Sequence, residues 1–501
     1  MRSRRSASCS RRRSDVRAPA LVLMVLLATL PACSSTLNTP LAMYNASAGY
    51  RYTTLASDGR EDTLVILAFS GGGTRAAAFS FGLLEALRDT RYLSAGSPRR
   101  LLDDVDVIAS VSGGSFTAAY YALFRERIFD DFPAAFLHRD IEGELIGRML
   151  WPPNWFRLAR KDFDRINLAA RLYDETVFQG RTFGDLLREP RRPYIIVNAT
   201  DMTLGRRFEF TQDQFDLLCS DLSALKVADA VAASSAFPGL LSPLTLRNFA
   251  GDGCGYRPPQ WLQDANRPGN PPMRYLHARD LLSYQEQAAR RPWIHLLDGG
   301  LADNIGLRGP YIALSSQDSG WSVLSRINRR VVKRVVVISA NAKTKKRTDW
   351  DTRQAAPGLL SVLGLVSSGP MDNYSLDTVQ LIRDFFEQQE QQANSAQSCR
   401  DALLATCGRA TTPLVPHVDW FPLELAFDRV EDPALRDCLE ALPTSFTLPE
   451  PTVALLRQAA GVLLQRSPEL ERLMKGLDAS WQPAAARVDP ELQRTVCARA
   501  P

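Results

Sequence analysis

The feature that most constrains this chain is a pattern used twice, in which a short apolar run breaks into glycines and then switches to helical spacing. Residues 64–69 read LVILAF, followed by Ser70 and Gly71-Gly72-Gly73, and residues 74–87 then repeat their apolar side chains at helical intervals. Residues 105–111 read VDVIASV, run into Ser112-Gly113-Gly114, and lead to a helical stretch carrying Phe116, Ala119, Tyr120 and Leu123. A continuous apolar strand has to be covered on both faces, and strands alternating with helices set a mostly parallel sheet. Further strand-like runs at 194–200, 293–297 and 335–341 extend the pattern. The expected fold class is α/β, with three layers around a mostly parallel central sheet.

The rest of the chain divides around that core. Residues 1–32 begin with seven Arg and one Asp, then carry an apolar run from 21 to 30 that ends in Pro31-Ala32-Cys33. This reads as an export signal of the bacterial lipoprotein type, with Cys33 as the acylated mature N-terminus; the alternative is a cleaved or uncleaved signal followed by an ordinary cysteine. Residues 33–63, rich in Ser, Thr, Asn and Ala, are expected to be a flexible tether, 64–345 the domain built on the strand–glycine–helix units, and 346–501 a helix-rich extension packed on the core. Within that extension a Gln- and Glu-rich helix (374–394) is followed by a Cys-bearing loop, a strand at 419–427 and an amphipathic helix at 452–464. Between the strands, 125–192 is helix-prone and holds Trp151, Trp155 and Phe156 beside two prolines. That cluster fits either a lid or lipid-facing surface, or aromatics closing an ordinary helical subdomain.

Charge excludes one class of partner. The formal charge is +5, of which the first 32 residues supply six, leaving −1 for the remainder, so no nucleic-acid partner is expected. Past Cys33 six cysteines remain: Cys219, Cys254, Cys399, Cys407, Cys438 and Cys497. Their spacing, with no histidine partners nearby, does not suit zinc, and no metal or other cofactor is expected. An oxidising compartment permits disulfides. Cys399 and Cys407, close in the expected loop, are the first pair, and Cys219–Cys254 and Cys438–Cys497 follow by elimination and local order. The alternative is several buried free thiols.

Three strings carry chemistry. In Ser110-Val111-Ser112-Gly113-Gly114, between strand and helix, a serine sits on a tight turn that lifts its hydroxyl above the sheet. Gly71-Gly72-Gly73-Thr74-Arg75 ends one strand and opens a helix, so its N–H groups and the helix dipole can stabilise an oxyanion. It lacks a P-loop's ending, and no acidic residue is set for a ribose, so no nucleotide is expected. Asp298-Gly299-Gly300 follows WIHLL at what reads as the carboxyl end of a parallel strand. Taken singly, the serine string also reads as a Ser/Gly turn and the aspartate string as a turn aspartate.

Taken together and in this order, GGGTR, SVSGG and DGG resemble the patatin-like phospholipases, as do Asn198-Ala199-Thr200-Asp201 with Gly205-Arg206, and the segment 233–239, ASSAFPG. The resemblance covers roughly residues 64–310. It departs from the family pattern at Ser70, Ala76 and Ser110, all small residues, which leaves the geometry and puts substrate preference in doubt. The resemblance implies a Ser112–Asp298 dyad without histidine, an oxyanion hole at Gly71, Gly72 and Gly73, and supporting roles for Arg75, Gly114 and Gly299. Arg75 would order the loop, meet a lipid phosphate or form a structural ion pair. In WIHLLD, strand alternation sets His295 on the face opposite Asp298, and His138, His277 and His417 read as structural or surface residues. The implied activity is a lipid acyl hydrolase of phospholipase A type, active in lipid catabolism or membrane lipid turnover. It would act on phospholipid or another lipid ester from a membrane-anchored position in the bacterial envelope, at the outer membrane or periplasmic face. The alternatives are a broad esterase or lysophospholipase, and a catalytically idle envelope scaffold.

Overall fold

The structure, a computed structural model, describes residues 36–56, 60–160, 163–345, 352, 354, 358–408 and 417–498. The expected signal and Cys33 lie outside the described residues. Residues from Leu37 onward form one compact unit. The strands of its main sheet are β1 (Thr63–Phe69), β2 (Val105–Val111), β3 (Tyr194–Asp201), β4 (Arg206–Glu209), β5 (Leu244–Arg247), β6 (Trp293–Asp298), β7 (Arg334–Asn341) and β8 (Asp419–Ala426). The helices that matter below are α1 (Gly73–Asp89), α2 (Gly113–Phe124), α3 (Val227–Ser234), α4 (Leu359–Cys407) and α5 (Glu450–Gln465).

The strands lie in the order β8-β7-β1-β2-β3-β6-β5, with β4 beside the end of β3. From β8 to β3 every pairing is parallel. β6 and β5 close that side antiparallel, as does β4. Every residue of β1, β2 and β3 is buried, as continuous apolar runs covered by helices on both faces require. β6 alternates exposed and buried positions along Trp293–Leu296, the mark of a strand with one face toward solvent.

The C-terminal region shares this core. β8 pairs with β7 over its whole length, and α5 packs on α1 so closely that a Cβ on Gly82 would stand 2.5 Å from the Arg457 carbonyl oxygen. Arg457 also pairs with Glu85 at 2.7 Å. A helix contact of that closeness needs glycine at the crossing.

Three expectations are corrected here. The stretch 33–63, expected to be a flexible tether, is tied to the rest of the unit at several points between Asn38 and Leu55, although many of its residues stay exposed. Thr39–Pro40 pairs with Ser220–Asp221, Tyr50, Tyr52 and Leu55 are buried, and Arg51 lies between Asp213 and Asp216 at 2.6 Å from each. The partners are more than 150 residues away in sequence, so local composition carried no sign of them. The Cys-bearing loop is instead part of α4, which runs unbroken to Cys407. The Cys399–Cys407 bridge fails for the same reason. Both thiols are free and exposed on one helix, and eight residues of helix separate their Cα atoms by roughly 12 Å, beyond disulfide reach. Bridges join Cys219 to Cys254 and Cys438 to Cys497, with Cα separations of 5.6 and 5.3 Å. Among the described residues no helix is long and apolar enough to cross a membrane.

Candidate active site

Ser112 stands between β2 and α2 with φ 48° and ψ −121°, a region that L residues avoid and a strand-to-helix elbow imposes. The turn survives because its neighbours have no side chain to collide. A Cβ on Gly113 would strike the Gly73 carbonyl, and one on Gly114 would come within 2.7 Å of Phe69 Cβ and the Ser70 carbonyl. Ser110, in place of the elbow's usual first glycine, fits within β2 and donates its hydroxyl to Ile196 O at 3.3 Å. The elbow is held from below by Ser234 at the end of α3. The Ser112 N–H donates to Ser234 Oγ at 2.8 Å, Ser234 Oγ donates to Asn198 O at 2.7 Å, and the Ser115 hydroxyl lies 3.0 Å away.

Asp298 ends β6, and the sequence reading of its strand as parallel is corrected. β6 runs antiparallel to β3, with Asp298 opposite Ala199, while β3 runs parallel to β2 with Asn198 opposite Val111. The aspartate therefore descends toward the serine from the carboxyl edge of the sheet. Alternating apolar spacing is the same read in either direction, which is why the sequence left the polarity open to error. The backbone around Asp298 is fixed on both sides: its N–H donates to Ala236 O, the next N–H to Ser234 O, and its carbonyl accepts from Thr200 Oγ1 at 2.8 Å. Gly299 is required because a Cβ there would strike the Asn198 carbonyl.

This scaffold brings the Ser112 hydroxyl to 2.9 Å from Asp298 Oδ2, while Oδ1 accepts the Gly300 N–H at 2.8 Å. Burial drives the Asp298 pKa up to about 6, a rise that the hydrogen bonds from Gly300 and Ser112 only partly oppose. A buried carboxylate whose side-chain partner is a neutral hydroxyl is a stronger base than one in water, which is what deprotonating a serine needs.

The glycine loop passes beside the serine: a Cβ on Gly71 would lie 3.4 Å from Ser112 Cβ. Of the three expected oxyanion donors, Gly71 is already engaged, its N–H bonded to Asn304 O at 2.9 Å. Thr74 N–H is likewise taken by Ser445 O. The N–H groups of Gly72, Gly73 and Gly113, at the starts of α1 and α2, have no acceptor among the described residues, and such helix-start donors suit a negative oxygen. Arg75 is buried and donates to Ala342 O and Leu442 O at 3.0 and 2.9 Å. It anchors the loop to the chain just past β7 and to the C-terminal region.

No histidine is among the hydrogen-bond partners of Ser112 or Asp298 in the described residues. His295 is exposed and bonds Thr245 on the outer face of β6, His138 is near Glu450, and His417 is near Asp419. Among the described residues no cluster of ligating side chains could hold a metal ion. Ser234, Asn198, Thr200 and Asn304 brace the site, yet sequence reasoning assigned them no role. The first three fall inside quoted motifs, which is the signal that could have found them.

Residues 67–311 match the family model described as Patatin-like phospholipase. Among solved structures, human GIVD cytosolic phospholipase A2 is similar at 12% identity and TM-score 0.36, over 62% of this chain and 52% of that one. The same enzyme in complex with methyl gamma-linolenyl fluorophosphonate gives 12% and 0.38, over 83% and 59%. VipD from Legionella pneumophila gives 11% and 0.26, over 94% and 79%. The chain thus spans less than two thirds of the length of either human chain. No curated protein matches it significantly. The chain carries a patatin-like phospholipase domain, residues 67–311, and the serine and aspartate described above lie within it.

Proposed function

We propose that the protein hydrolyses the carboxylic ester bonds of phospholipids, in phospholipase A fashion, with Ser112 as nucleophile and Asp298 as its base. Asp298 takes the Ser112 hydroxyl proton through Oδ2 as Oγ attacks the acyl carbonyl carbon. The carbonyl oxygen, now negative, rests on the N–H groups of Gly72, Gly73 and Gly113. Collapse expels the lysolipid alcohol, which recovers the proton from Asp298 and leaves an acyl-serine. Water, deprotonated by the same carboxylate, then releases the fatty acid.

The single observation that carries this reading is the 2.9 Å contact between Ser112 and a buried carboxyl whose pKa is raised to about 6. The family match supports a lipid ester hydrolase, and the retention of serine, aspartate and loop glycines together argues against an idle scaffold. Purified protein assayed against phospholipids, lysophospholipids and short-chain esters should release fatty acid fastest from diacyl phospholipid. Preference for short esters would favour the broad-esterase reading, and no release from any substrate the scaffold.

The same reading has the protein at a membrane of the bacterial envelope, held by an acylated Cys33 and acting on lipid in that membrane. The two disulfides suit an oxidising compartment. Cys33→Ala should leave an unprocessed or soluble protein, read by mature mass and by membrane fractionation. Unchanged mass and unchanged fractionation would remove the anchor.

A further inference from the structure

Large apolar side chains left in water usually mark a contact that the isolated chain does not make. Such a group occurs between the helices Ile141–Leu150 and Pro152–Leu158. Leu150 is 67% exposed, Trp151 62%, Trp155 57% and Phe156 81%, with Ile146 beside them. They are consecutive or one turn apart, so they form one knuckle and not scattered surface residues.

The knuckle is built to hold its shape. Asn154 is buried and donates its side-chain amide to Arg148 O at 2.8 Å, and the Trp155 indole N–H donates to Met149 O at 3.2 Å. Two carbonyls at the end of the first helix are thereby satisfied by the residues that turn the chain, and the rings are presented outward instead of folding back.

Both ends of this excursion are tied to the rim of the candidate active site. Before it, Glu142 accepts from the Ser445 hydroxyl at 2.9 Å, and Ser445 O in turn accepts the Thr74 N–H of the glycine loop. After it, Arg165 donates to Gly239 O at 3.1 Å and the Ile166 N–H to Ser242 Oγ at 3.1 Å, a few residues beyond the Ala236 carbonyl that holds the Asp298 N–H.

Charge identifies the occupant. The described residues between 146 and 165 include four arginines, Arg148, Arg157, Arg160 and Arg165, against Asp164, and with Glu175 pairing Arg148 at 2.8 Å the net is +2, in a chain that carries −1 beyond residue 32. Tryptophan and phenylalanine beside arginine fit the boundary between headgroups and acyl chains of an anionic bilayer, where indoles enter the interface and guanidinium groups meet lipid phosphates.

We propose that the Leu150–Phe156 knuckle seats the protein on an anionic lipid bilayer, with Trp151, Trp155 and Phe156 entering the interface, so that the rim of the Ser112 site faces the membrane. This rests on the proposed function for its purpose, though not for its detection. The test uses the full chain with phosphatidylethanolamine–phosphatidylglycerol vesicles carrying acyl-brominated lipid, a contact quencher of tryptophan. Fluorescence should be quenched in the wild type, and most of that quenching should vanish in Trp151→Phe/Trp155→Phe, which keeps an apolar knuckle. In Trp151→Ser/Trp155→Ser/Phe156→Ser, fatty-acid release from vesicles should fall about 10-fold or more while hydrolysis of a water-soluble short-chain ester is unchanged. Equal quenching in the double variant, or an equal change on both substrates in the triple variant, overturns the proposal. If the wild type hydrolyses nothing, the proposed function fails and the quenching still decides the docking.

Discussion

Carboxylates in water are poor bases toward a serine hydroxyl, and Asp298 differs because it is buried with two hydrogen bonds and, among the described residues, no neighbouring cation to restore its acidity. This has a sign that can be checked in two ways. In the proposed dyad the base must be ionised, so kcat/KM should climb with pH up to about 6 and level off above it. Stability runs the other way. The folded pKa stands above the ordinary value of 3.8, so the fold gains from the protonated form and loses that gain as pH rises from about 4 through about 6. Above that range the buried charge costs on the order of 3 kcal/mol. Asp298→Asn, which keeps an acceptor for the Gly300 N–H, should therefore melt at or above the wild-type temperature at pH 8 while losing hydrolysis. A clear drop in melting temperature would show that the charge supports the fold.

Ser234 is the second residue on which the site depends, since one hydroxyl and one carbonyl brace both the nucleophile elbow and the turn after Asp298. Ser234→Ala leaves the buried Ser112 N–H without its acceptor, a cost of about 1–3 kcal/mol. The expected signature is a lowered kcat with KM little changed, measured on a soluble ester. A rise in KM alone would place Ser234 in substrate binding instead.

At the scale of elements, the strand–glycine–helix units were legible because period and composition change together at Phe69 and again at Val111, where helical spacing begins only after the glycines. α4 was not legible at its full length. Among its described side chains a buried stripe runs through Ser375, Thr378, Ile382 and Phe386, the last against Trp420, and beyond Phe386 the helix is a polar rod with no face for periodicity to mark. The consequence is chemical. Cys399 and Cys407 should react with a thiol reagent in the folded, non-reduced protein, and Cys219, Cys254, Cys438 and Cys497 should not. Labelling of any of the last four by peptide mapping would contradict the pairing. The Cys438–Cys497 bridge closes a loop of 59 residues, so Cys438→Ser/Cys497→Ser should lose about 4 kcal/mol in denaturant unfolding.

Across the whole molecule, what the sequence concealed lies in contacts between distant segments. Arg51 meets Asp213 and Asp216, β8 joins β7 from beyond residue 400, and Ser445 reaches the glycine loop. None has a local signature, and together they make the amino-terminal stretch and the C-terminal region parts of the body that holds the site. The paired residues themselves, Ser112 and Asp298, were legible because each sits at a strand end where glycines permit a turn that no other residue could make. The measurement that bears most directly on their proposed roles is fatty-acid release from phospholipid vesicles by the wild type, Ser112→Ala, Asp298→Asn and the double variant, each shown folded by its melting curve. Each single change should reduce the rate on the order of 10³-fold or more, and the double variant should be no slower than the worse single one, because the two groups act as one unit. Fatty-acid release by Ser112→Ala near the wild-type rate, or an Asp298→Asn protein that remains active, would contradict the dyad.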